Sequence, residues 1–371
     1  MTDSPPPPPP EPGSSASDNP FQPPKMPNAE ADKGFSDMKT LILVMGILTI
    51  LGAIGMGCGG GFYGFFFPQL IAEMPEESRE GMDEPWMTAV FQNTGLLLLV
   101  FAGGLIWLGI GAIRTKKWAG DLYLSGGWMY GAIMLVSTLA FVGFLPGMFS
   151  GMEAAILGDL GEEGELNAEE MFQAMRIGMF IGVAVMVLVY LVPPAVVVLI
   201  FRMRNVRKTF VHYDQESSWT DRVPIPVLVW WWMLVAVGGS ALVMAVGTGA
   251  FYEILGVVEQ GWHATVGMLA MSVLLGGLAW AVATRQGWAW VASMVLCTIG
   301  VAGGIYLTMS MDFVEMYRAM GSDETELAMM EAMYGNELAM LLPGAITGIA
   351  LFVYLMVIRR HFFDHPNAIT V

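Results

Sequence analysis

Eight long apolar segments divide this chain and restrict its fold more strongly than any other feature. A helix needs about 20 consecutive apolar residues to cross a bilayer, and lipid offers an unpaired backbone no hydrogen-bond partner. The chain is 55% hydrophobic and 13% charged, with a mean hydropathy of +0.58. We therefore predict an all-α integral membrane protein with eight transmembrane helices. The predicted helices cover residues 41–67, 88–113, 122–149, 179–201, 227–252, 264–283, 288–311 and 339–358.

The first 40 residues have a different composition. Residues 5–10 are consecutive prolines, and Gly, Ser, Asp, Asn and further Pro residues follow them. Such a segment has too few apolar residues to form a packed core, so we predict a disordered, Pro-rich cytoplasmic tail. It is not predicted to be a secretory signal, because its start is not basic and the first apolar segment is too long.

The basic residues predict the orientation of the chain in the membrane. If both termini are cytoplasmic, the outer segments contain only three of the 17 Lys and Arg residues, namely Arg79, Arg176 and Arg318. This distribution follows the positive-inside rule. Most of the 33 Asp and Glu residues fall in the outer loops, so the net charge of −16 belongs to the outer face. We predict a multi-pass protein of the cell membrane, with the bacterial inner membrane favoured, and no nucleic-acid partner.

Local motifs recur between the two halves and predict a tandem repeat. Gly-Gly-Leu-Ile-Trp at 103–107 resembles Gly-Gly-Leu-Ala-Trp at 276–280, and a Trp-Ala pair follows each string at 118–119 and 288–289. Four helices per unit is an even number, so both units have one orientation and form a parallel repeat. The predicted domains are the tail at 1–40, a first four-helix unit at 41–201, a basic cytoplasmic linker at 202–225, a second four-helix unit at 226–358 and a short cytoplasmic C-terminal tail at 359–371.

The sequence contains no pattern that predicts catalysis or a cofactor. H-E-x-x-H, G-x-S-x-G and Walker-type motifs are absent, and no ionisable residue lies near the middle of a predicted helix. The two cysteines, Cys58 and Cys297, lie inside apolar segments and are interpreted as small buried hydrophobic residues. We therefore predict that the protein is not an enzyme.

Two groups of residues are candidates for cation binding. Met171 and Met175 belong to a set of methionines spaced by four residues, and thioethers suit Cu(I). His263 is predicted to lie in a tight outer turn near Glu253 and Glu259, where a His–carboxylate pair binds metals or titrates. The alternatives are that methionine, present 31 times across the chain, serves as an adaptable hydrophobic residue and that His263 is a polar turn residue. The resulting prediction is no metal site, with these five residues as the ones to test.

Two functions from different classes remain open on the sequence alone. The first is a non-enzymatic scaffold or assembly component, which meets a membrane-protein partner or a second copy through glycine-lined helices, as at Gly55/Gly59, and through acidic outer caps. Short amphipathic helices are predicted for these caps in the 3–4 and 7–8 loops. The alternative is a transporter or channel for a small cation or neutral solute, with its path between the two four-helix halves.

Overall fold

The computed structural model describes residues 36–75, 85–159, 165–247, 251–254, 257–260, 262–310, 327 and 337–363. The chain divides into two units, Met1–Ser36 and Asp37–Val371, and the fold described below is that of the second unit. The predicted Pro-rich tail lies outside the described residues, apart from its last few positions.

Helices account for nearly all of the described residues. In chain order they are α1 (Lys39–Gly61), α2 (Phe67–Glu73), α3 (Pro85–Ile113), α4 (Lys117–Asp159), α5 (Glu165–Arg202), α6 (Arg204–Tyr213), α7 (Ile225–Val246), α8 (Trp262–Ala283), α9 (Gly287–Ser310), α10 (Glu337–Ile358) and α11 (Arg360–Phe363). Within the described residues, eight helical segments are long and apolar enough to span a membrane. The prediction of a polytopic helical membrane protein is therefore confirmed.

The first membrane span contains a π-helical turn. Residues Phe62–Phe66 form this turn between α1 and α2, and the whole span Lys39–Glu73 is 35 residues long. Pro68 has no amide hydrogen, and its ring would clash with the carbonyl of Gly64 in a regular α-helix. A π-turn is one of the few ways in which a helix accommodates such a residue without ending.

A β-hairpin connects α7 to α8 where we predicted a tight turn. Strands β1 (Phe251–Ile254) and β2 (Val257–Gln260) pair antiparallel, with Phe251 opposite Gln260. Gly247 ends α7 in an extended conformation, so this helix stops before residue 252, the predicted end of the segment. Aromatic and β-branched residues dominate the two strands, and such residues favour an extended backbone.

The helices α4 and α5 extend well beyond their predicted spans. They contain 43 and 38 residues, and only residues 160–164 between them are outside the described part of the chain. The prediction of separate short helices in this loop is therefore wrong, because the membrane helices themselves continue into it. Apart from residue 327, the corresponding loop between α9 and α10 lies outside the described residues.

Consecutive membrane helices pair in the same way in both halves. The α1 helix packs on α3 and α4 packs on α5, while α7 packs on α8 and α9 packs on α10. The α4 helix is the central element of the bundle, because it also contacts α7 and α10 and so joins the two halves. A further contact between α3 and α7 completes this junction, which we call the seam.

Two short turns between membrane helices share one backbone geometry. Thr115, between α3 and α4, and Arg285, between α8 and α9, have positive φ angles of 49° and 54°. In each turn this residue donates its amide to the carbonyl three positions earlier, and the next residue donates to the carbonyl five positions earlier, at 2.8–3.0 Å. This pattern is the Schellman motif that ends many helices. Each turn precedes its Trp-Ala pair by the same number of residues.

The shared turns show that the Gly-Gly-Leu-x-Trp strings do not occupy equivalent positions. Trp107 lies eight residues before Thr115, whereas Trp280 lies only five residues before Arg285. The strings are thus offset by almost one helical turn relative to the common backbone geometry.

Each half also contains a two-step hydrogen-bond relay between its first and third membrane helices. In the first half, the Tyr123 hydroxyl donates to Thr49 Oγ1 at 2.7 Å, and Thr49 donates to its own helix. In the second half, Trp230 Nε1 donates to Ser293 Oγ at 2.8 Å, and Ser293 donates to its own helix. Tyr123 and Ser293 each lie eight residues beyond the positive-φ residue of their turn.

The main hydrophobic core lies at one end of the bundle. We call this the basic end; it comprises the α3–α4 turn, residues 202–224, the α8–α9 turn and residues 359–363. Leu122, Val227 and Phe362 are almost fully buried there, and Tyr123 stacks on Phe201 with ring centroids 4.5 Å apart. Asp214, also buried, accepts hydrogen bonds from Lys116 Nζ at 3.2 Å and from the Lys117 amide at 3.0 Å.

Candidate functional site

The five residues proposed as cation ligands lie on four elements. Met175 is half-buried on α5, and Met171 lies one turn before it on the same helix. Glu253 is on β1 opposite Val258, and Glu259 is on β2 opposite Tyr252. His263 is the second residue of α8, is exposed, and has its ring 3.8 Å from that of Trp262.

The described residues contain no group of three His, Cys, Asp or Glu side chains arranged to hold a metal ion. The position of His263 differs from the one that we predicted, because it begins a helix rather than lying in a tight turn. The thioethers Met171 and Met175 stay candidates from sequence alone.

Sequence reasoning missed an apolar cavity inside the second half of the helical bundle. Its volume is about 750 Å³, and helices α7, α8, α9 and α10 all contribute to its walls. The walls run from Trp230 to Met244 on α7 and from Leu296 to Thr308 on α9. At a rise of 1.5 Å per residue, the cavity is about 20 Å long and lies parallel to the helices.

The cavity offers almost no polar group to a guest. None of its described lining residues is acidic, basic or His. The Ser240 hydroxyl donates to the Ala236 carbonyl at 2.8 Å, and the Thr308 hydroxyl donates to the Gly304 carbonyl at 2.9 Å. An ion placed here would lose its hydration without compensation, so the site is suited to an apolar guest.

Glycines and methionines make up much of the cavity wall. Two pairs of glycines at four-residue spacing, Gly300/Gly304 on α9 and Gly344/Gly348 on α10, line it. A Cβ atom added at Gly300, Gly304 or Gly344 would meet no atom within 4 Å, so these backbones border open space. Four methionines, Met233, Met244, Met268 and Met271, line it as well, and flexible thioethers adapt to partners of varied shape.

No protein-family model, curated protein or solved structure matches this chain.

The glycines of α1 have two different environments. Gly60 and Gly64 lie against Gly95 of α3, where an added Cβ on Gly95 would come within 2.4 Å of the Gly64 backbone. Gly55 and Gly59, the pair predicted to meet a partner, have nothing within 4 Å of an added Cβ. The glycine-rich sequence of α1 therefore serves first as an internal contact with α3.

The seam between the two halves contains two buried polar atoms without a hydrogen-bond partner among the described residues. They are Asn93 Oδ1 on α3 and Trp232 Nε1 on α7. Asn93 is 8% exposed and lies against Gly247, while Trp232 Nε1 lies beside Gly126 of α4. Trp232 and Gly247 are separated by about 22 Å along the helix axis of α7. Because Asn93 lies against Gly247, the two unpaired atoms are near opposite ends of the seam.

Proposed function

We propose that this protein is a non-enzymatic assembly component of the cell membrane. In this proposal, the apolar cavity between α7, α8, α9 and α10 receives an apolar transmembrane helix of a partner protein. The observation that carries the proposal is the cavity itself, because it is long, uncharged and bordered by open glycine backbones. The expected partner presents a helix face that is free of charged residues along about 20 Å.

A helix is favoured over a lipid chain by the spacing of the glycines. Small residues four positions apart form a flat strip on one helix face, which allows the backbone of a second helix to approach closely. Gly300 and Gly304 form such an open strip on α9, and Gly344 of α10 borders the same cavity, whereas Gly348 is packed against Val301 of α9. A flexible acyl chain fills an apolar space without requiring this spacing, so lipid is the principal competing occupant.

We infer that the two four-helix units form a parallel repeat. The equal helix pairing, the two Schellman turns and the two relays support this inference. The donor and acceptor of the relay have exchanged helices between the units: the aromatic donor is on α4 in the first unit and on α7 in the second. We also infer that the basic end faces the cytoplasm, since it contains most of the Lys and Arg residues.

The experiment that tests the assembly function is native mass spectrometry of the full chain, extracted gently from its own membrane. We expect the wild-type chain to retain a stoichiometric protein partner. The double substitution Gly300→Leu and Gly304→Leu fills the cavity and should reduce the retained partner by about tenfold, as expected for the loss of about 1.4 kcal/mol of binding free energy.

The matched control is Gly55→Leu with Gly59→Leu on α1. This pair has the same spacing and also faces open space, but it lies outside the cavity. The control should keep the partner. Equal retention in the cavity variant and the wild type would contradict the proposal, and a lipid retained in place of a protein would identify an acyl chain as the guest.

The second candidate function is passage of a small solute through the seam, which is supported by the two buried polar atoms without partners. Unpaired polar groups are costly in the membrane interior, and a polar solute or water in the seam would satisfy them. We expect Asn93→Leu to reduce solute flux into liposomes by about tenfold if this path is used.

If the transported solute is a small cation, Glu253→Ala with Glu259→Ala should cause a similar loss of flux. Unchanged flux in both variants would eliminate this function.

A further inference from the structure

A second cavity, of about 820 Å³, lies at the basic end and differs in chemistry from the apolar one. Three arginines from three separate elements line it: Arg207 on α6, Arg222 at the end of the 3₁₀ turn Trp219–Arg222, and Arg285 in the α8–α9 turn. Arg207 and Arg222 are exposed and Arg285 is half-buried. The connecting segment thus contributes two of the arginines and the second half contributes the third, while α4 of the first half contributes Asp121 to the wall.

The two carboxylates in this cavity, Asp121 and Asp221, accept hydrogen bonds from the fold, and Asp121 also interacts electrostatically with Arg207. Asp121 Oδ2 accepts a hydrogen bond from the Thr220 hydroxyl at 2.8 Å, and Asp221 Oδ2 accepts one from the Ser218 amide at 2.8 Å. The first bond ties the 3₁₀ turn to α4, and the second belongs to the capping box within the turn. Among the described residues, no carboxylate lies within 4 Å of any of the three guanidinium groups.

Arg285 is the least exposed of the three arginines. Burial lowers the pKa of Arg285, since the surroundings disfavour its charge. Its φ angle of 54° is imposed by the Schellman turn. In the equivalent turn of the first half, the neighbouring cation Lys116 is paired with Asp214 at 3.2 Å. Among the described residues, the cation of the second turn, Arg285, has no such ion pair.

We propose that this cavity binds a phosphate-bearing anion. A phosphate group presents several oxygens that accept the paired N–H donors of more than one guanidinium group, and such charge-assisted bonds are the strong ones in proteins. The anion is supplied either by the headgroup of an anionic phospholipid or by a free phosphate compound. Basic pockets on the cytoplasmic side of membrane proteins recognise the former. The inference does not depend on the guest of the apolar cavity.

The test uses the full chain in two settings that separate these sources. In nanodiscs of phosphatidylcholine alone, inorganic phosphate is titrated and its binding is measured by calorimetry. In a mixture of phosphatidylcholine and phosphatidylglycerol, bound phosphatidylglycerol is counted by native mass spectrometry. Saturable binding in the first setting identifies a free phosphate compound, and saturable binding in the second alone identifies a lipid headgroup.

Variants distinguish a specific site from general attraction to positive charge. Arg222→Gln with Arg285→Gln should weaken the binding by about tenfold or more, since two charge-assisted contacts are lost. Arg202→Gln with Arg204→Gln removes the same charge from exposed residues outside the cavity and should change the binding by less than about twofold. An equal loss in both double variants, or no saturable binding of either probe, would overturn the proposal.

Discussion

The glycines where the first membrane span meets α3 and the glycines of α9 have the same four-residue spacing but opposite environments. In the first pair, Gly60 and Gly64 lie against Gly95, and no room is left for a side chain. In the second pair, Gly300 and Gly304 border an open apolar cavity. Small residues at four-residue spacing permit close approach. Whether that approach is made within the chain or left for a partner depends on which helix lies opposite.

The largest expected effect concerns the closed contact. Gly95→Val should lower the free energy of unfolding by about 3 kcal/mol, because its side chain would overlap the backbone of α1, which has no rotamer to change. Equilibrium unfolding in detergent micelles measures this loss. Gly304→Val is the matched change at an open position and should alter stability by less than about 1 kcal/mol. Equal losses would show that the second pair is closed as well.

The next effect compares the two Schellman turns. Asp214→Ala removes the acceptor of the Lys117 amide at the start of α4 and the partner of Lys116, and should cost about 1–2 kcal/mol of stability. In the second turn, the Gln286 side chain accepts a hydrogen bond from the exposed Trp288 indole, so Gln286→Ala should cost less than about 0.5 kcal/mol. Thermal unfolding of both variants measures the difference. A larger loss for Gln286→Ala would reverse this ranking of the turns.

The two relays provide a smaller and more symmetrical comparison. Thr49→Val leaves the Tyr123 hydroxyl without its acceptor, and Ser293→Ala does the same to the Trp230 indole. Hydrogen bonds between membrane helices contribute about 0.6 kcal/mol on average, and each variant should lose about that much. If the relays are equivalent parts of a repeat, the two losses in unfolding free energy agree within a few tenths of a kcal/mol. A loss confined to one variant would argue against equivalence.

The smallest effect is a pH dependence at the start of the first unit. The Tyr213 hydroxyl and the Lys39 amide donate to Asp37 and lower the pKa of its carboxyl. Because the folded pKa lies below the unfolded one, the stabilisation is present above about pH 3.9 and is lost as pH falls through the folded pKa. Hydrogen-exchange protection of the first turn of α1 should therefore decrease between pH 6 and pH 3.

The start of α7 is the internal reference for this pH effect. It follows the N-cap residue Pro224, and the Tyr354 hydroxyl donates to the Pro226 carbonyl nearby, so no carboxyl participates in that contact. Its protection, corrected for intrinsic exchange, should stay constant over the same pH range. Asp37→Asn should abolish the pH dependence at α1, and its persistence in that variant would assign it to another group.

Much of the membrane topology was predictable from sequence. Residue 113 was the predicted end of the second span and is the last residue of α3, and residue 283 is likewise the last residue of α8. The polar ends were less predictable. Helical hydrogen bonding continued through residues 150–159 of α4 although apolarity had ended, and β-branched residues formed a hairpin where a turn was expected.

The apolar cavity could not be predicted from the sequence, because its lining residues come from four different helices. The spacing of Gly300 and Gly304 is visible in the printed chain, but it is the same spacing as that of Gly60 and Gly64. Only the positions of the neighbouring helices show that one pair is filled and the other open. The cluster of Arg207, Arg222 and Arg285 has the same explanation, since these residues are far apart in the chain.

Sequence alone established the membrane-spanning helices, because a backbone in lipid must satisfy its hydrogen bonds locally and each span is therefore encoded by its own residues. The tertiary structure decided which glycines touch, where the apolar cavity lies and which arginines meet. Those features depend on the packing of helices that are distant in sequence. In lipid, such packing follows from shape complementarity rather than from hydrophobicity, which all eight spans share.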